Sequence, residues 1–371
     1  MSVVLAGPFG QSNPGDEALL RAFVEALPGR RLVATSSDPV GTEAVHGIAA
    51  MDRADERAIA RAIAGAEGVV FAGGTVFKTL HPSSARRPLE LLASGMAVAL
   101  ATRALGVPLA LVGVGAGAIE GRRARSLARG IVRCADLLIL RDEESAGVLA
   151  AAGAPTPFRV GADAAWTTLE APAAPSAAGD AVIVALSCHA GGPGLAERLV
   201  HVLAPVARAG LRVRLQPWQA LDGVHDDLGL ARGVAAHLAG DVEIVPPPAD
   251  LADARDLFAG ARLVVALRFH ALLAAAAAGV PAAVVAHEPK LAGLGRRLEQ
   301  GVIAPAGSAD AAAAAVLAAL DRPPPSPEAI ARERSRALDG MALLRVVLSG
   351  GRSEEAAGLD GLELAPEAWV A

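Results

Sequence analysis

Residues Ala266–Leu291 read ALRFHALLAAAAAGVPAAVVAHEPKL. The stretch continues an apolar run, Arg262–Leu267, passes Arg268 and His270, and enters an uncharged segment rich in Ala and Leu. Gly279-Val280-Pro281 ends that segment, and Pro281–Ala286 is a second apolar run. An uninterrupted apolar run of this length predicts a strand buried on both faces, and a helix without a polar side is itself buried. Strand, helix, turn and strand in this order predict parallel strands joined by a crossover helix.

The same pattern extends in both directions. Ala181–Ser187, Leu211–Gln216 and Val242–Val245 are further strand-like runs upstream, with helical stretches between them. In the first half, Ser2–Ala6, Gly68–Ala72, Leu109–Val114 and Asp136–Leu140 read as strands. Gly15–Leu27, Arg86–Leu105, Arg122–Cys134 and Asp142–Ala152 read as helices. The alternation breaks at Glu170–Asp180, EAPAAPSAAGD, whose Pro, Ala and Ser content reads as a linker. The chain is therefore read as α/β, with a domain over 1–170, a linker over 171–180 and a second domain over 181–325. A helix over 326–348 is expected to pack across the domains, and 349–371 reads as a loosely ordered tail. Two such domains in tandem place a site in the cleft between them, at the carboxyl ends of their strands.

The 371 residues carry 34 basic and 39 acidic side chains, a formal charge of −5, which argues against a protein that wraps nucleic acid. Half of the residues are hydrophobic (53%), yet the longest uncharged runs, Ala104–Ile119 and Ala271–His287, fall short of the ~20 residues a membrane span needs. Met1–Glu17 lacks the basic start of a signal peptide. Cys134 and Cys188 stand apart and read as free thiols of a reducing compartment, and no cluster has metal-ligand spacing. Together these features predict a cytoplasmic protein. Tyrosine is absent and all basic residues but Lys78 and Lys290 are arginine, a bias that inflates apparent helix propensity.

Five segments carry candidate chemistry. Gly7–Leu19, GPFGQSNPGDEAL, joins a strand to a helix start, where backbone N–H groups favour an anion. Asn13 and Asp16 are site candidates there, whereas Glu17 reads as a helix-starting carboxylate. Phe71–His81, FAGGTVFKTLH, ends a strand in Gly73 and Gly74, which permit close approach of another group, and holds Lys78, a compact point charge in an arginine-rich chain. Val112–Ile119, VGVGAGAI, is a third glycine-rich strand end. Leu140–Ser145, LRDEES, places Arg141 at a strand's carboxyl end, either facing the cleft or paired with Asp142 or Glu143, and Asp163 of VGADAA ends another strand. Arg268 and His270 are the fifth group. Their own helix offers no charge to pair with, and a buried unpaired cation is costly.

Taken in order, GPFGQSNPGDEALL, FAGGTVF, VGVGAGAI, LRDEES, VGADAAW and RFHALLAAAAAGVPAAVVAHEPK resemble the polysaccharide pyruvyl transferase family from about Gly7 to Lys290. Two positions depart from the family's pattern: Ala266-Leu267 stand where Gly-Met is common, and His287-Glu288 replace Tyr-Asp. The resemblance implies two Rossmann-like domains with parallel sheets in a glycosyltransferase-B-like arrangement with an interdomain cleft. It implies transfer of pyruvate from phosphoenolpyruvate onto a sugar hydroxyl pair as a ketal, in cell-surface glycan assembly or related biosynthesis, with no cofactor beyond that donor and no metal. The acceptor would sit on the N-terminal domain and phosphoenolpyruvate on the C-terminal one. Arg268, Arg141 and Lys290 would meet the donor's carboxylate and phosphate, with Asn13, Lys78, Gly73, Gly74 and Glu288 lining the site. His270 would act as general acid or on the leaving phosphate, and Asp16 would deprotonate the acceptor hydroxyl. Acceptors in this family are often lipid-linked, which leaves open a position at the inner face of the membrane, as it leaves open a homo-oligomer. A nucleotide-sugar-dependent glycosyltransferase and a non-catalytic glycan- or anion-binding protein are the rival readings, and a small-molecule acceptor is not separable from a glycan.

Overall fold

The computed structural model describes all residues except 81–85, 156–157, 171–178, 193, 222–224, 305–306, 352–362 and 365–371. The expected linker and most of the tail, as well as His81, lie outside the described residues. The described chain divides into two compact units. The first holds Met1–Gln11, Asp16–Thr168 and Arg332–Ala371; the second holds Ser12–Gly15 and Leu169–Ala331.

The chain begins with β1 (Ser2–Phe9), α1 (Pro14–Ala26), β2 (Leu32–Ser36), α2 (Pro39–His46), β3 (Ala49–Asp52) and α3 (Glu56–Ala64). It continues through β4 (Ala66–Ala72), β5 (Thr75–Phe77), α4 (Glu90–Leu105), β6 (Leu109–Ala116), α5 (Gly121–Cys134), β7 (Leu137–Leu140), α6 (Glu143–Ala151) and β8 (Arg159–Val160). The main sheet of this unit has the order β8-β7-β6-β4-β1-β2-β3, and its neighbours are parallel. Runs such as Leu109–Val114 and Leu137–Leu140 are buried throughout, as expected for strands covered on both faces. The expected helix at Arg86–Leu105 begins at Glu90 instead. Pro88 disfavours helical backbone at Arg87, which postpones the first turn.

The second unit runs β9 (Ala181–Ala185), α7 (Leu195–Arg208), β10 (Arg212–Gln216), β11 (Ala220–Leu221), β12 (His225–Asp226), α8 (Asp227–Ala235) and β13 (Val242–Ile244). Then come α9 (Leu251–Phe258), β14 (Leu263–Ala266), α10 (Phe269–Ala277), β15 (Ala282–Val285), α11 (Pro289–Arg297), β16 (Gly301–Ile303) and α12 (Ala309–Ala319). Its sheet has the order β13-β10-β9-β14-β15-β16, all parallel. The α10 segment is buried along its length apart from His270, as its lack of a polar side requires. Helix α13 (Pro327–Leu348) enters the first unit at Arg332, where Leu348 packs over Gly68. In the tail, β17 (Glu363–Leu364) pairs antiparallel with β8.

In each sheet the strand order reverses at one place. The chain moves from β1 out to β3 and returns at β4, and from β9 out to β13 and returns at β14. The carboxyl ends of β1 and β4, and of β9 and β14, therefore flank the crevices where open α/β sheets bind ligands.

Candidate functional site

At the crevice of the second sheet stands Arg268, the residue that caps α10 after β14. Its Nε donates to the Leu186 carbonyl just past β9 (3.1 Å), which bridges the two strand ends. Its Nη1 donates to Gln219 Oε1 (2.9 Å) and its Nη2 to Asp227 Oδ2 (2.6 Å). A guanidinium has five N–H groups, so one on each terminal nitrogen remains for an anion. The expected shortage of partners is thus met from another element: Asp227, at the start of α8, is fully buried and paired with Arg268.

Asp227 also accepts from the backbone N–H groups of Cys188 (2.8 Å), Trp218 (3.1 Å) and Gln219 (3.0 Å). Burial alone would push its carboxyl up, but the Arg268 charge and these hydrogen bonds outweigh it and hold the group below the usual carboxylate range. The same surroundings push the Cys188 thiol up to about 11, through burial and then the Asp227 charge, so it stays protonated at neutral pH.

The turn Ser12–Gly15 closes over this cluster within the second unit. Asn13 Oδ1 accepts from Gly15 N (3.1 Å) and from Trp218 Nε1 (3.3 Å). Ser12 has φ of 50°, the left-handed region that costs an L-residue about 1–2 kcal/mol. Gly15 lies so close to the Nδ1 side of His270 that a β-carbon there would overlap the ring. His270 itself is half-buried in the first turn of α10, its ring edge-on to Phe269. Beyond the next strand, Glu288 caps α11 and pairs with Lys290 (2.5 Å). His287 feels both Lys290 and Arg268, and its imidazole is held below its usual range chiefly by burial. Arg268, His270, Asn13, Glu288 and Lys290 are therefore brought to one end of one sheet.

The first unit gathers the remaining candidates. Asp16 is half-buried in the first turn of α1. Glu17, as expected, is structural: Oε1 accepts from Gly10 N and Oε2 meets His46 Nε2, both at 2.9 Å. Gly73 and Gly74 have φ of 70° and 73° and pack on Leu19 and Pro8, so the turn itself requires glycine. The Lys78 stem lies over Gly117. Arg141 takes its ion-pair alternative. It is 3% exposed, with Nε on Asp142 (2.9 Å), Nη1 3.9 Å from Asp163 and Nη2 on Thr75 Oγ1 (3.3 Å). Glu143 pairs instead with Arg336. A β-carbon on Gly115 would collide with the Arg141 guanidinium, and Asp142 holds Ser145, whose Oγ accepts from Ala116 N. Four of the motif segments are thus interlocked around one buried cation. The Arg141 charge and Ser145 outweigh the burial of Asp142 and lower its pKa.

Trp218, Gln219 and Asp227 add to the residues read from the sequence. Trp218 and Gln219 stand just past β10, as Arg268 stands past β14, whereas Asp227 lies further on at the start of α8, where strand-end position gives no signal for it. A cavity beside Asp180, Arg212 and Arg214 lies at the amino ends of β9 and β10, away from these groups. Among the described residues no three metal-ligating side chains stand together.

Comparison with known proteins bears on this arrangement. Similar solved structures include Anabaena HepE in complex with UDP and glucose (14% identity, 94% of this chain and 100% of that one, TM-score 0.63). A putative UDP-N-acetylglucosamine 2-epimerase from Listeria monocytogenes is comparable (14%, 94% and 97%, TM-score 0.61). So is the UDP-GlcNAc 2-epimerase of Methanocaldococcus jannaschii (11%, 94% and 100%, TM-score 0.61). At such identities the likeness shows the fold alone: two parallel α/β units of the kind found in glycosyltransferase-B proteins. No curated protein matches the chain in sequence. The profile of the family described as "Polysaccharide pyruvyl transferase" matches residues 13–289, from the Asn13 turn through the Arg268 and His270 segment to Pro289, and the chain belongs to that family.

Proposed function

We propose that the protein transfers pyruvate from phosphoenolpyruvate to a pair of sugar hydroxyls, forming a ketal. The observation that carries this reading is Arg268, buttressed by Asp227 and Gln219 at the sheet crevice, with two N–H groups left for an anion and His270 two residues on. A bidentate guanidinium suits the carboxylate or phosphate of the donor, and Lys290 adds a second cation at the same sheet end.

The chemistry follows from balance. A proton adds to the methylene carbon, a sugar oxygen bonds to the adjacent cation-like carbon, and phosphate leaves when the second hydroxyl closes the ketal. Each hydroxyl gives up its proton. His270 supplies the first proton or meets the departing phosphate, and Asp16 takes one from the acceptor. Arg141 has no part in donor binding in this reading, because it is only 3% exposed and its guanidinium is held by Asp142 and Thr75.

The test is incubation of the full chain with phosphoenolpyruvate and a panel of glycan, lipid-linked and free-sugar acceptors, with phosphate release and acceptor mass followed. The expected product is an acceptor heavier by pyruvate less one water, with turnover lost in His270→Ala and Asp16→Asn. Near-normal turnover in either variant removes that residue's role. Transfer of a sugar from a nucleotide sugar instead removes the donor assignment.

A further inference from the structure

Helix α5, GRRARSLARGIVRC, contains five arginines and no acidic residue. Its buried side is Ala124, Ala128, Ile131 and Val132. At about 100° per residue, Arg122, Arg125, Arg129 and Arg133 fall on one stripe beside that buried side. Arg122, Arg125 and Arg133 are exposed and Arg129 is half-buried; Arg123 is exposed on the other flank. Among the described residues none of the five meets a carboxylate. Elsewhere in the chain arginines do, as in Arg21–Glu25, Arg86–Glu90, Arg212–Asp241 and Arg214–Glu243. Nor are acids scarce, with 39 against 34 basic residues.

The stripe works against its own helix. Arg122 and Arg123 stand in the first turn, where the helix dipole disfavours cations, and Arg125, Arg129 and Arg133 repel one another at i, i+4 spacing. Helix stability therefore does not account for them. The apolar side of α5 is already used in the core, so this surface has nothing to insert deeply. What it offers is a row of cations, which adsorbs electrostatically to an anionic lipid surface.

We propose that the exposed arginine face of α5 docks on an anionic phospholipid bilayer. This rests on charge complementarity alone and is independent of the donor reading. Each arginine brought near such a surface strengthens binding by about fivefold at low salt, and added salt screens the attraction.

The experiment is co-sedimentation of the full chain with vesicles of phosphatidylcholine, with and without phosphatidylglycerol. A triple variant, Arg122→Glu, Arg125→Glu, Arg133→Glu, and its lysine counterpart are run beside it. Expected are binding to the anionic vesicles only, at least a tenfold loss in the glutamate variant with its melting temperature retained, and near-full binding in the lysine variant. The proposal is overturned by equal binding to neutral vesicles, by no binding to anionic ones, or by unchanged binding of the glutamate variant. Retention by duplex DNA as strong as by anionic vesicles overturns it too, in favour of a general polyanion surface.

Discussion

Replacing Asp227 by asparagine keeps the side chain's shape and removes the charge that Arg268 faces. In the parent, Oδ1 serves one donor and Oδ2 three, the Trp218 and Gln219 amides and the Arg268 guanidinium. An asparagine can keep its oxygen towards the three, but its NH₂ then meets the Cys188 N–H donor to donor. Breaking a buried ion pair costs about 3–5 kcal/mol. Arg268 is 15% exposed and keeps Leu186 and Gln219, so the net loss is placed lower, at about 2–4 kcal/mol. For a domain of this size that is a fall in melting temperature of about 4–16 °C. The sign with pH follows from the lowered pKa of Asp227. The parent's advantage is complete above the unfolded carboxyl value of about 4 and is lost as pH falls through the lower folded value. Thermal unfolding of parent and variant from pH 7 to pH 3 should show a gap that narrows below about pH 4. Adding Arg268→Met to Asp227→Asn should destabilise less than the sum of the two single changes, because the orphaned charge goes with it. A variant within about 1 °C of the parent at pH 7, or a gap indifferent to pH, would refute the reasoning.

Gly15→Ala forces a β-carbon into the His270 ring; overpacking of about 1–3 kcal/mol and a turnover loss beyond tenfold are expected, and normal steady-state kinetics would contradict the contact. Arg141→Leu leaves Asp142 and Asp163 buried without their cation, a loss of about 3–5 kcal/mol in denaturant unfolding. Arg141→Lys should not restore it, because one ammonium cannot serve Asp142 and Thr75 from a planar fork. His287, neutralised by burial, binds its proton more readily when unfolded. Its contribution is present above about pH 6.5 and is lost as pH falls below that value, so His287→Gln should flatten the stability profile between pH 7 and pH 5.5.

The parts of the fold visible in the sequence are those whose signal is local. The α10 segment announces its burial by having no polar side, and Leu109–Val114 announces a central strand by having no polar residue. Strands β2 and β3 are less legible because LVATS and AAMD mix small and polar residues at the sheet's edge. The candidate site was readable to the extent that strand ends are: Arg268, His270 and Lys290 follow from position. Their partners do not, because Asp227 lies 41 residues from Arg268 and looks like any helix-starting acid until the sheet order brings it across. Arg141 shows the reverse case. The sequence offers an ion pair with Asp142 as one of two readings, and only the burial of both groups, together with Asp163, decides for it.

The central claim is that the crevice at Arg268 takes phosphoenolpyruvate. Titration calorimetry of the full chain with phosphoenolpyruvate, with UDP- and GDP-sugars as controls, tests it most directly when repeated on Arg268→Ala. Saturable binding of phosphoenolpyruvate alone, abolished in a variant that remains folded, is the predicted result. Binding of a nucleotide sugar with none of phosphoenolpyruvate, or phosphoenolpyruvate binding untouched by the substitution, would contradict the account.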